Sequence, residues 1–148
     1  MSRLEVPLVS RTLKSTGDGV VRAELDLELR TDQNTWVTVR FVVDSGTEMT
    51  TMAAAEAKDR SLPIPRHPVS GLALRGQKVR SGLLRARIVG MDKTEYLFPC
   101  YFLGDPDAPL AKSTNLLGLT GVIDQVRFTF DGTNSIQAPC GVLVVEKR

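Results

Sequence analysis

The chain has 148 residues, 42% hydrophobic, 24% charged and 5% aromatic, with a net charge of +2. A chain of this size reads as one domain, 1–148, and hides about 70% of its unfolded surface, enough for a core of its own. The weak charge, scattered basic residues and few aromatics argue against a nucleic-acid partner, and no apolar run approaches the ~18 residues of a membrane span. Met1 to Lys14 has no continuous apolar core, so no secretory signal is expected. Cys100 and Cys140 then read as free thiols and the location as cytoplasmic. The lone His67, between Arg66 and Pro68, suits neither a catalytic triad nor a zinc site. No metal and no cofactor is expected.

Val21, Ala23, Leu25, Leu27 and Leu29 alternate with charged residues, the period of a half-buried strand. Thr31-Asp32-Gln33-Asn34 is a polar turn, and Trp36 to Val43 returns as the second arm of a hairpin. Thr50 to Lys58 reads as a short helix capped by Thr50 or Thr51, with its body at Met52 to Lys58. Pro63, Pro65 and Pro68 end it in an extended connection. Val69 to Val89 carries glycines among β-formers and reads as a long hairpin with its tip near Arg75-Gly76-Gln77. Leu83 to Met91 and Glu95 to Leu103 read as strands joined by a turn. Asn115 to Leu119 is a short apolar strand, Gly121 to Gln125 one helical turn, and Val126 to Phe130 another strand. Val142 to Val145 is the last. Many short strands with turn signals predict an all-β barrel or sandwich.

The strand Trp36–Val43 is apolar on both faces at its end and runs directly into Asp44-Ser45-Gly46-Thr47. A carboxylate placed at the end of a buried strand calls for a partner or a function. Asp-Ser-Gly alone is also ordinary turn chemistry. A second apolar strand ending in glycine, Leu116-Leu117-Gly118, follows about seventy residues further on.

Val42-Val43-Asp44-Ser45-Gly46-Thr47, the glycine-bearing hairpin and Leu116-Leu117-Gly118, in that order, resemble the retropepsin-like aspartic proteases. The resemblance covers about residues 20–131. It implies a closed β-barrel or sandwich with a flap hairpin and one short helix, half of a pepsin-like bilobal architecture. It implies an aspartic peptidase that works as a homodimer on a peptide or protein substrate, with Asp44 catalytic in each chain. Ser45 would bond across the dimer axis, Gly46 would permit the tight turn, and the Thr47 hydroxyl would donate to Asp44. Gly118 would lie beneath the loop. Glu48 and the flap-tip residues Leu74, Arg75 and Gly76 would contact substrate. The terminal strand Val142–Val145 would build part of the dimer interface.

The chemistry of such a pair is simple. Two carboxylates about 3 Å apart cannot both ionise, so one proton is shared and a water is activated between them. Two departures from the family pattern stand out. Leu119 occupies the position where retroviral members commonly have Arg, which removes the expected partner of Glu48. Gly118-Leu119-Thr120 stands where many cellular members have Gly-Arg-Asp. An alternative is a catalytically silent dimerisation or peptide-binding module of the same fold. A further one is an unrelated small β-barrel.

Overall fold

Alternation between core and solvent organises the first hairpin. In the computed structural model, which describes residues 2–148, Leu25, Leu27 and Leu29 are buried while Glu24, Asp26, Glu28 and Arg30 remain half-buried. The strands in chain order are β1 (Arg3–Pro7), β2 (Val9–Thr12), β3 (Gly19–Arg22), β4 (Glu24–Arg30), β5 (Trp36–Val43) and β6 (Thr50–Ala53). Helix α1 (Ala54–Asp59) follows. Then come β7 (Ala73–Leu74), β8 (Gln77–Ile88), β9 (Tyr96–Leu103), β10 (Leu116–Leu117), β11 (Val126–Asp131) and β12 (Val142–Lys147).

The principal sheet runs β4-β5-β10-β6-β9-β8-β7, and β4 also pairs with β8, so the order returns to its start. Two pairings in it are parallel, β5 with β10 and β6 with β9. Inside lie Phe41, Phe98, Phe102, Met52 and Leu117, all essentially inaccessible. Burying each such side chain contributes on the order of 1.5–3 kcal/mol. A second sheet, β1-β12-β11, packs against this core through Leu143 and Val145. The β2–β3 hairpin stands apart as a two-stranded sheet.

Several local expectations change. The alternating stretch from Val21 to Leu29 is two strands. The chain leaves β3 at Ala23, whose carbonyl accepts the N–H of Val43 at 2.8 Å, and changes sheet there. Thr50 and Thr51 do not cap a helix. They are buried in β6, paired with Cys100 and Tyr101, and α1 starts only at Ala54 without a side-chain cap. β-Branched residues beside two ready strand edges favour pairing over the helical turn. The hairpin after the prolines is lopsided, with two residues in β7 and twelve in β8. Its Leu83–Ile88 portion is the same continuous strand. Segments outside the family resemblance are structured too: β1, β2 and β12 all carry pairings.

Val142–Val145 forms a strand, yet not a spare one for a partner. β12 is bonded to β1 on one edge and to β11 on the other. Its Leu143 and Val145 are fully buried in this chain's own core. Both backbone edges of Val142–Val145 are thus occupied within the chain, and no free edge of this strand is left for strand addition by a partner.

Candidate active site

β5 delivers the loop Asp44–Thr47. Phe41 and Val43 anchor the strand in the core, and the N–H of Asp44 still donates to the carbonyl of Leu117 on β10 at 3.1 Å. Asp44 itself is half-buried rather than interior. Both its carboxylate oxygens are held. Oδ1 accepts the Gly46 N–H at 2.9 Å, and Oδ2 accepts the Thr47 hydroxyl at 2.9 Å.

Gly46 does not adopt the left-handed backbone. A Cβ there would stand 3.3 Å from Asp44 Oδ1, so close approach of backbone to carboxylate is the constraint. Ser45 is exposed beside it. Gly118 lies under the loop, where a Cβ would sit 2.5 Å from the carbonyl carbon of Met49 and 2.8 Å from the nitrogen of Thr50. Neither atom can move without moving the loop. The Gly118 N–H donates to Thr50 Oγ1 at 3.0 Å.

Leu119 and Thr120 hold the loop by backbone. The Leu119 N–H donates to the carbonyls of Thr47 and Glu48, both at 3.1 Å, and the Thr120 N–H to that of Glu48 at 2.8 Å. A turn over 119–126 carries these donors, with the Val126 N–H bonded to Val122 at 2.9 Å. The Glu48 side chain is exposed, and no ion pair among the described residues includes it.

The hairpin tip is Arg75-Gly76, both with positive φ, 52° and 74°. Two left-handed residues between paired strands make the type I′ turn that suits strand twist. Arg75 and Gln77 line a cavity of about 450 Å³ together with Thr51, Glu56 and Leu116. Asp44 opens instead onto a groove of about 380 Å³ walled by Val42 and Val43, residues 20–23, Leu8, Leu13 and Phe130. In one chain, Asp44 and Arg75 thus line different depressions, and Leu74 and Gly76 line neither of them. The two depressions adjoin across a strand pair, because Leu116 of the cavity is the register partner of Val42 of the groove.

Two supporting residues carry no signal in the sequence. Thr50 stands among helix-forming residues and reads as a cap. Asn115, buried just before β10, donates to the Arg40 carbonyl and to Glu56 Oε1, both at 3.3 Å. Asn115 ties β10 to α1, and Glu56 in turn accepts from Arg60 at 3.2 Å. Only the position of Thr50 beside a glycine-ended strand pairing could have pointed to it.

No protein-family model matches the chain. No curated protein matches it. Among solved structures it is similar to a retropepsin-like aspartic protease from Rickettsia conorii, seen in a crystal structure. The two are 14% identical, the match covers 98% of this chain and 92% of that one, and the TM-score is 0.57. What is shared at that identity is the architecture, a nearly all-β arrangement with one short helix. The chain has a retropepsin-like fold.

Proposed function

We propose that the chain is an aspartic endopeptidase that acts as a homodimer, with Asp44 of each copy forming the catalytic pair. The observation that carries this reading is how the Asp44 loop is held: Gly118 packs beneath it with no room for a Cβ, and the Leu119 and Thr120 N–H groups bond the carbonyls of Thr47 and Glu48. Within that loop one Asp44 oxygen accepts the Gly46 N–H and the other the Thr47 hydroxyl, both at 2.9 Å. The bond from the residue two positions on is ordinary turn chemistry, made also by Asp92, Asp105 and Asp131; the backbone support around the Asp44 loop is the distinguishing feature.

In the pair, one carboxylate is ionised and the other protonated. The ionised one takes a proton from water as its oxygen attacks the scissile carbonyl carbon. The protonated one gives its proton to the carbonyl oxygen. The resulting tetrahedral diol passes one hydroxyl proton to the now ionised carboxylate as the C–N bond breaks, and the leaving nitrogen takes the proton held by the other carboxyl, which restores the singly protonated pair. No covalent enzyme intermediate forms. Ser45, exposed next to Asp44, would bond across the dimer axis. The Arg75-Gly76 tip is the segment that would close over an extended peptide, adding strand-like hydrogen bonds and excluding water. Glu48, exposed and in no ion pair among the described residues, would offer its carboxylate to substrate.

The test is incubation with a diverse peptide library from acidic to neutral pH, read by mass spectrometry, with and without pepstatin. Cleavage that pepstatin suppresses and Asp44→Asn abolishes is expected. Cleavage unchanged in Asp44→Asn would sink the reading.

A further inference from the structure

We propose that the cavity lined by Thr51, Glu56 and Arg75 takes the side chain of a glutamine in the substrate, close to the bond that Asp44 cuts, and that the Thr51 hydroxyl selects it. The place of the glutamine relative to the cut rests on the peptidase reading; the choice of side chain rests on the cavity alone.

Thr51 and Ala53 stand on one face of β6, beside their register partners Leu116 of β10 and Leu103 of β9. All four line the cavity of about 450 Å³. Thr51 is 3% exposed, and its hydroxyl has no hydrogen-bond partner among the described residues, whereas the hydroxyl of Thr50 is taken by the Gly118 N–H. Valine would fill the same space without burying a hydroxyl that bonds nothing. The Thr51 hydroxyl is therefore a free bonding group for whatever enters.

Glu56 supplies a second, fixed group. Its Oε1 accepts from Asn115 Nδ2 at 3.3 Å and from Arg60 Nε at 3.2 Å, and no hydrogen bond among the described residues reaches its Oε2. Arg75 and Gln77 add donors to the same wall. The charges nearly cancel, because Glu56 is paired with Arg60 and the wall also holds Asp105 and Arg75, of opposite sign. A charged occupant thus meets no net opposite charge, and an aliphatic one leaves Thr51 and Glu56 unpaired as it expels water. A primary amide is neutral and carries both kinds of group at its end. Its NH2 can donate to Glu56 Oε2 and Thr51, and its oxygen can accept from Arg75 or Gln77. The volume suits a bound ligand and favours the longer of the two amide side chains.

The cavity adjoins the Asp44 loop. Leu116 pairs with Val42 and Leu117 with Val43, in parallel strands about 4.8 Å apart, and Asp44 comes next. An extended peptide, at about 3.3 Å per residue, reaches from Asp44 to the cavity within about two residues.

The test is selection from a random peptide library on immobilised Asp44→Asn protein, which binds without turnover, and on the same protein carrying Thr51→Val or Thr51→Ser. Glutamine should be enriched about tenfold at one position, the advantage of about one hydrogen bond. Thr51→Val should erase that enrichment while its urea midpoint stays at or above the parent value, and Thr51→Ser should keep the enrichment. Enrichment of Leu, Lys or Glu instead, no enrichment, or glutamine enrichment that survives Thr51→Val overturns the proposal. A Thr51→Val protein that unfolds at lower urea overturns it too, since the hydroxyl would then serve the fold. Glutamine enrichment lost in Thr51→Val, with no cleavage of the selected peptides by wild type, leaves the cavity standing and overturns the peptidase reading instead.

Discussion

The hydroxyl of Thr50 accepts the backbone N–H of Gly118 at 3.0 Å inside the protein, with no solvent at either group. This one bond ties the start of β6, just after the Asp44–Thr47 loop, to the glycine that ends β10. Thr50→Val keeps the shape and leaves the Gly118 N–H unpaired. It should cost roughly 1–3 kcal/mol, measurable by urea unfolding, whereas Thr50→Ser should recover most of it. Gly118→Ala places a methyl against fixed backbone and should cost roughly 1–3 kcal/mol or more. Wild-type stability in both Thr50→Val and Gly118→Ala would mean that the loop is not built on this contact.

Removing Gly141 to Arg148 should unfold the protein rather than merely dissociate it. Leu143 and Val145 are fully buried, and each contributes on the order of 1.5–3 kcal/mol. β1 and β11 would also lose the strand between them. Near-ultraviolet circular dichroism of the truncated chain should be featureless. A folded monomer would show that the tail is dispensable, as a strand reserved for a partner would be.

The architecture was legible where side-chain period and burial coincide. Leu25, Leu27 and Leu29 on one face, and the run Phe41-Val42-Val43 into Asp44, identify the hairpin and the loop without coordinates. Arg75-Gly76 is legible as a turn because glycine tolerates positive φ. Pairing partners were not legible. Thr50 and Thr51 have local neighbours that favour a helix, and only the adjacent edges of β9 and β10 make them a strand. Val142–Val145 reads as a strand from its own residues, but nothing in them tells that β1 and β11 already flank it. The backbone donors of Leu119 and Thr120 are invisible to sequence because any residue supplies an N–H.

Thr47→Ala removes the donor to Asp44 Oδ2. Without it the carboxylate keeps only the Gly46 N–H as a partner, so cleavage should slow about tenfold, the effect of one lost hydrogen bond, while the fold is kept. Thr47→Ser should restore the rate. Ser45→Ala should weaken dimerisation. A rate unchanged in Thr47→Ala would show that the hydroxyl does not position the carboxylate.

Arg11 holds the Glu24 carboxyl below the usual carboxylate range, chiefly through its paired hydrogen bonds, with the nearby Arg40 and Arg22 adding to the effect. A group with a depressed folded-state value stabilises the fold above its unfolded value, here 4.5, and loses that contribution as pH falls through the folded value. Wild type should therefore lose stability on acidification below about pH 4.5, and Glu24→Gln should show a shallower fall over the same range. The difference should appear in thermal melts recorded as a pH series. Parallel curves would show that the strap on the β2–β3 hairpin does not titrate with folding.

The most direct measurement of the shared site is subunit mixing. Wild type and Asp44→Asn are combined at constant total concentration, allowed to exchange, and assayed for peptide cleavage. If each active site needs Asp44 from both copies, mixed dimers are silent and the rate follows the square of the wild-type fraction, about a quarter of the full rate in an equal mixture. A rate that falls in simple proportion, to about half, would mean that one Asp44 suffices and would contradict the account.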